Sequence, residues 1–364
     1  MKNVAQVAVL SQLPPPVHGS TMVTETLIST LEGANCSVRL IDRRFSKSVD
    51  SVGRFEVKKV FSAFGLLIRS IRELSAQPQV LIVFLSSSPF AFLADLVVCT
   101  IARISRVPVV SYVHTVGFSE LAARGPLWNA LVIQVLRGSA QIITLGESLT
   151  WDLSPFVEPG RIGVIANTAP MPRFTASPRV GNQVLFLSNL IPAKGALDFV
   201  SAAQLIAEQI EDADFVIAGA THDADHLQEV HEHIDRVGLS GKIRVVGAVS
   251  GLDKWRLLAA SRVLLFPSRY PKEAQPLSVI EAAAVGTPCV AYDSGGLRDI
   301  ISEGISGALV PVGDVAMLAQ RAVEILAHPE LAGERESRTK NEFTSRFARE
   351  IFDRSWLETV GNYR

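Results

Sequence analysis

The sequence predicts two α/β domains, each built on a doubly wound parallel sheet, facing one another across a cleft. Three observations predict it. Near-continuous runs of Val, Ile and Leu alternate with longer helix-prone segments, the pattern of strands buried on both faces and joined by helical crossovers. The series restarts near position 182, after a proline-bearing stretch. The length, 364 residues, is large for one hydrophobic core and comfortable for two.

In order, the first series offers VAQVAVLSQ from Val4, QVLIVFLS from Gln79, VPVVSYVH from Val107 and AQIITLG from Ala140 as strands. Helix-prone segments lie between them at 20–31, 57–74, 90–104 and 127–136. The stretch IANTAPMPRFTASPRVGN, 165–182, carries Pro170, Pro172 and Pro178 and reads as a linker or hinge. The second series runs NQVLFLSNL from Asn182, ADFVIAGA from Ala213, KIRVVGAV from Lys242, RVLLFPS from Arg262, TPCVAYD from Thr287 and SGALVPV from Ser306, each followed by a helix. Segment 340–363 closes the chain as one helix, with Phe343, Phe347, Ile351 and Trp356 on or near one face. The domains are therefore placed at 1–168 and 169–342, with a terminal helix at 343–364.

Composition narrows the function classes. Lys plus Arg is 35 and Asp plus Glu is 36, so the net charge of -1 gives no electrostatic reason for a nucleic-acid partner. Cys36, Cys99 and Cys289 have neither metal-like nor paired spacing and read as reduced, buried thiols. The opening MKNVAQVAVLSQL lacks the apolar core of a signal peptide, and the apolar stretch 80–94, which holds three serines and a proline, is too short to span a bilayer. A soluble, cytoplasmic protein is expected. No GxGxxG follows the first strand, and neither GxxxxGK[ST] nor GxSxG occurs, which argues against nicotinamide, P-loop and hydrolase readings.

The stretch YPKEAQPLSVIEAAAVGTP, 270–288, holds the chemistry. Pro276 suits a helix start, LSVIEAAAV is helix-prone, and Gly286 suits the residue past the helix end. Glu273 then lies in the loop before the helix and Glu281 inside it, among apolar neighbours. Gln275, Pro276, Leu277 and Ser278 form a helix N-terminus whose backbone N–H groups, proline apart, favour an anion such as a diphosphate. Carboxylates beside it can accept hydrogen bonds from the vicinal hydroxyls of a sugar or ribose. The plainer alternative is a buried Glu281 paired with a nearby arginine and a solvated Glu273.

The same stretch resembles the Glu-x7-Glu signature of retaining family 4 glycosyltransferases of the GT-B fold. SGGLRDII and SGALVPVGD resemble that family's next loop and strand, LSNLIPAKGALDFVSA its first strand–loop–helix, and VVGAV its base-binding segment. The resemblance implies two Rossmann-like domains, with the last helix crossing back to the first. It puts Lys194 on the leaving diphosphate, Glu281 on the ribose, Glu273 on the donor sugar as a positioner, and Val249 near the base. Where the family has a phosphate-binding arginine, this chain has Asn189, preceded by Ser188; Arg269 or Lys272 are the candidate substitutes. Gly19, in PPPVHGS, stands in the family's glycine-rich loop, with His18 where a first glycine is common. His114 corresponds to a family histidine near the donor sugar, beside the alternative of a structural histidine.

Two weaker constellations remain. His222, Asp223, Asp225, His226, His231 and His233 read as a solvated helix face rather than a zinc site, and no protein-bound metal or other cofactor is expected. Arg43, Arg44, Lys47, Arg54, Lys58, Lys59, Arg69 and Arg72 outnumber Asp50 and Glu56 around VFSAFGLLI. This is either an ordinary amphipathic helix or a peripheral contact with an anionic membrane surface. The expected activity is transfer of a sugar from a nucleotide-sugar to a hydroxyl of a glycan or lipid-linked acceptor. A sugar-nucleotide epimerase of the same fold and a non-enzymatic nucleotide or carbohydrate sensor are the alternatives.

Overall fold

The structure is a computed structural model that describes residues 5–15, 19–43, 57–175, 179, 181–221 and 223–363, with the side chains of 57–63 outside that description. His18, Arg44, Lys47, Asp50, Arg54, Glu56, His222 and the side chains of Lys58 and Lys59 lie outside the described residues. The chain divides into two compact units, 1–167 with 349–364, and 168–348.

The first unit runs β1 (Gln6–Ser11), α1 (Gly19–Gly33), β2 (Ser37–Asp42), α2 (Val57–Ser75), β3 (Val80–Leu85), α3 (Pro89–Ile104), β4 (Val109–Val113), α4 (Phe118–Ala122), α5 (Pro126–Gly138), β5 (Gln141–Thr144) and β6 (Ile162–Val164). All strand pairs are parallel, in the order β2-β1-β3-β4-β5-β6. Every residue of β3 and β4 is buried, which is why those strands read as unbroken apolar runs. β2 and β6 sit at the sheet edges and are only partly buried. Their sequences lack such runs, and reading for apolar continuity misses them.

The second unit runs β7 (Asn182–Leu187), α6 (Ala196–Ala207), β8 (Ala213–Ala218), α7 (Ala224–Arg236), β9 (Ile243–Gly247), α8 (Gly251–Ala260), β10 (Val263–Phe266), α9 (Leu277–Ala284), β11 (Cys289–Tyr292), β12 (Gly307–Val310), α10 (Val315–Leu326) and α11 (Ala332–Arg346). Its parallel sheet has the order β12-β11-β10-β7-β8-β9. Chain order therefore reverses at the β7–β10 pair, the place where an open α/β sheet leaves a crevice for a ligand. Phe186, Phe199, Phe215 and Leu265 are fully buried in its core, each worth about 1.5–3 kcal/mol of burial. After β11 the chain forms a short 3-10 segment, Gly295–Asp299, where an α-helix was expected.

The closing segment is two helices, not one. α11 ends at Arg346 and α12 spans Arg349–Gly361. α12 packs on α1 in the first unit. Thr30 Oγ1 donates to Asp353 at 2.6 Å, and the fully buried Trp356 ring meets Tyr112 edge-on at 4.7 Å.

Candidate active site

The carboxyl ends of β7 and β10, the two strands at the reversal, carry the predicted charged residues. Lys194 closes a 3-10 turn, Pro192–Lys194, just after β7. Gly195 follows with φ +82°, and a Cβ there would lie 2.1 Å from the Pro267 carbonyl oxygen. Only glycine lets the Lys194 turn approach the loop after β10 this closely. That loop is fastened to the turn again by Arg269 N–H donating to Ala193 O at 2.7 Å.

Glu273 is buried in the same loop, 7% exposed. Its Oε2 accepts from Lys194 Nζ at 2.5 Å and from Ser268 Oγ at 2.8 Å. Among the described residues no donor to its Oε1 is found, and a carboxylate offers about four acceptor positions. The backbone behind it is held from the other side. Gly295 has φ +55°, a Cβ there would meet Glu273 O at 2.2 Å, and Gly296 N–H donates to Ala274 O at 2.7 Å. The alternative of a solvated Glu273 is thereby set aside. Lys194 also lies 4.7 Å from the centroid of the Tyr270 ring, a cation–π contact that adds to the ion pair.

α9 begins after Pro276, its N-cap, and ends before Gly286 at φ +78°, as the sequence requires. Gln275 and Pro276 are buried, while Leu277 and Ser278 at the first turn are partly exposed. Glu281 points inward from α9 and pairs with Lys254 Nζ on α8 at 2.5 Å. Burial pushes the Glu281 carboxyl above the usual carboxylate range, and the Lys254 ammonium pulls it partly back. Lys254 and Ser268 were not found by sequence reading. Lys254 stands in the first turn of the helix after VVGAV, and that position beside a base-binding segment was the available signal.

Other expected residues scatter. Asn189 is exposed in the loop after β7 and Val249 half-buried in the loop before α8. Arg269 is committed to Asp198, at 2.5 and 3.0 Å through two nitrogens, so its charge is already matched. In the first unit, Gly19 opens α1. His114 follows β4, stacks on Phe84 at 4.8 Å and meets Tyr112 edge-on at 4.0 Å. Its Nε2 is shut off from solvent without a hydrogen-bond partner among the described residues. Burial pulls its pKa down to about 3, so the ring is neutral at ordinary pH.

The histidine-rich helix α7 and its N-cap expose Asp223, Asp225 and His231 as expected of a solvated face, and His226 departs from it. His226 is only 2% exposed, its N–H capped by Asp223 at 3.0 Å and its Nδ1 beside Glu229. Among the described residues no three His, Cys, Asp or Glu side chains gather as metal ligands.

Fold and residues define a class. Residues 171–342 match the family described as Glycosyl transferases group 1. The chain as a whole has the GT-B fold. It superposes on the crystal structure of Anabaena HepE in complex with UDP and glucose with a TM-score of 0.76 at 17% identity, over 98% of this chain and 100% of that one. Among curated relatives, the 2-deoxystreptamine N-acetyl-D-glucosaminyltransferase of Niallia circulans is 30% identical over 164 residues, 45% of this chain and 41% of that protein. The glycogen synthase of Mycobacterium tuberculosis is 30% identical over 265 residues, 68% of this chain and 61% of that protein. The chain thus spans 41% and 61% of the lengths of these two relatives.

Proposed function

We propose that this protein transfers a sugar from a nucleotide-diphosphate sugar to a hydroxyl of a glycan or lipid-linked saccharide, retaining the anomeric configuration and using no protein-bound metal. The observation that carries the reading is the Lys194–Glu273 pair at the β7–β10 reversal, inside the family-matched segment. Lys194 has three N–H donors and spends one on Glu273. The others serve the leaving diphosphate, whose charge grows as the glycosidic bond breaks. The first-turn amides of α9, from Leu277 and Ser278, add to that stabilisation. Glu273, through Oε1, accepts from donor-sugar hydroxyls and fixes the ring's position. Glu281 accepts from the ribose hydroxyls, exchanging part of its contact with Lys254. Neutral His114 supplies a hydrogen bond without charge, and Gly19, Asn189 and Val249 border the substrates. The relatives' names, an N-acetylglucosaminyltransferase and a glycogen synthase, and the UDP and glucose held by the Anabaena protein support sugar transfer and make UDP-sugars the first donors to test.

The test is turnover of UDP-, GDP- and ADP-sugars with saccharide acceptors, following nucleotide diphosphate release and the product's anomeric configuration by NMR. Release that requires acceptor, with retained configuration and indifference to a chelator, is expected. An inverted product overturns retention, loss of activity in chelator overturns metal independence, and no acceptor-dependent release from any donor overturns transfer.

A further inference from the structure

One face of the first unit exposes side chains that a helical layer usually hides. The β2-to-β3, β3-to-β4 and β4-to-β5 connections all move the same way along the sheet. Right-handed crossovers therefore place α2, α3 and α5 on one side of it. α3 packs against both of the others. Outward on α2 stand Phe64 (61% exposed), Ile68 (52%) and Ile71 (50%), at the i, i+4, i+7 spacing of one stripe. Outward on α3 stand Phe90 (53%), Leu93, Val97 and Ile104 (77%), again one stripe. Single exposed apolar residues are ordinary; stripes on adjacent helices mark an interaction surface.

The charges around the stripes have one sign. Arg69 and Arg72 are exposed beside the α2 stripe, and Arg103 and Arg106 at the end of α3. Glu73 is held by Arg39 at 3.1 Å. α3 and α5 contain a single acidic residue between them, Asp95, and it is fully buried with Arg43. No helix among the described residues is long and apolar enough to cross a membrane.

We propose that the α2–α3 face docks on an anionic lipid surface, its apolar stripes entering the boundary between headgroups and acyl chains and its arginines meeting lipid phosphates. This is the arrangement of an in-plane amphipathic surface. A second copy of the chain fits the face less well, because a two-fold contact would set the same arginines against one another. The inference does not rest on the transfer reaction, since lipid binding is read without any sugar nucleotide.

The experiment is co-sedimentation of the full chain with phosphatidylglycerol vesicles and with phosphatidylcholine vesicles, at low and physiological ionic strength. Binding to phosphatidylglycerol, weaker on phosphatidylcholine and weakened by salt, is expected. Val97→Asp with Ile68→Asp should lower the partition by tenfold or more by removing the apolar entry. Arg69→Gln with Arg72→Gln should lower it by about thirtyfold, from roughly 1 kcal/mol per basic residue, and flatten the salt dependence. All four positions are exposed, so circular dichroism and Tm should match the parent. Failure to sediment with phosphatidylglycerol at low salt overturns the proposal. So does light scattering that shows a dimer dispersed by the aspartate variants, which would make a second copy the occupant.

Discussion

The two units carry six-stranded parallel sheets, yet they furnish the carboxyl ends of their strands differently. In the second, Lys194–Glu273 and Lys254–Glu281 put two nearly buried ion pairs in and beside the β10–α9 connection. In the first, the corresponding ends carry one buried ion pair, Arg43–Asp95 behind β2 and β3, and otherwise neutral groups. Ser11 shares a hydrogen bond with Thr24 at 2.6 Å, Ser87 donates to Val116 O at 2.8 Å, and His114 is held uncharged between aromatic rings. Even the buried Asp152 is spent, on the N–H groups of Gly117, Phe118 and Ser119 at 2.7, 2.9 and 2.9 Å. Paired charge beside a helix start suits a ligand whose charge changes during reaction, and a largely hydroxyl-lined end suits a polyhydroxylated one. On the proposed function, the nucleotide diphosphate is expected at the second unit and the neutral saccharide at the first.

The strongest way to break that contrast is Lys194→Ala. Loss of one preorganised charge donor costs about 10²–10³ in rate, and kcat should fall more than KM for the donor rises. Because Glu273 is then left buried without its cation, stability should drop as well, by about 3–5 kcal/mol if no water enters. Initial rates at saturating donor, with Tm alongside, decide it; near-native turnover would leave the pair a purely structural contact. Next in size is nucleotide binding. A nucleoside diphosphate at about a hundred times its Kd should stabilise by roughly 2.7 kcal/mol. Hydrogen exchange should place the new protection in 188–195 and 268–278 and not around His114, and protection centred on the first unit would reverse the assignment.

Glu281→Ala is expected to weaken that binding about tenfold or more, since a hydrogen bond to a charged group is worth about 1.5–3 kcal/mol, without altering the fold. Unchanged affinity by calorimetry removes Glu281 from the ribose. His114 gives the smallest effect. Its folded pKa, about 3, lies below the unfolded value of about 6.5, so the unfolded chain takes up a proton that the folded one refuses. Its contribution to stability is whole above the unfolded value and is lost as pH falls from there toward the folded one. His114→Gln should therefore reduce the loss of stability between about pH 7 and about pH 5, measured by urea unfolding. An unchanged slope would mean the ring can be protonated in place.

What the sequence disclosed follows burial. Strands enclosed on both faces, such as VLIVFL of β3, announce themselves in composition. The edge strand β2, with SVRLID half exposed, does not. Phe347 stays buried where the helix breaks, so apolar spacing alone joined α11 to α12. In the candidate site, Glu273 and Glu281 were legible because helix punctuation and local spacing frame them, and Lys194 through the family resemblance of the turn that carries it. Lys254 and Ser268 were not, because their meaning lies in which carboxylate tertiary packing brings within reach. His226 was misread for the same reason: a polar neighbourhood in sequence said nothing of the side that packs inward.

α12 has a consequence for the order in which the protein is made. The first unit is interrupted in the chain: its sheet is complete by Val164, but the helix that covers α1 begins only at Arg349. Thr168 Oγ1 donates to Phe347 O at 2.7 Å, so the chain leaves for the second unit and returns from it at neighbouring points. A ribosome must therefore deliver all of 168–348 before Trp356 can reach Tyr112. Until then the nascent first half carries an uncovered α1 flank and an open aromatic seat. The second unit, contiguous in sequence, is free to finish folding first, and the half that is translated earliest is the last to be sealed.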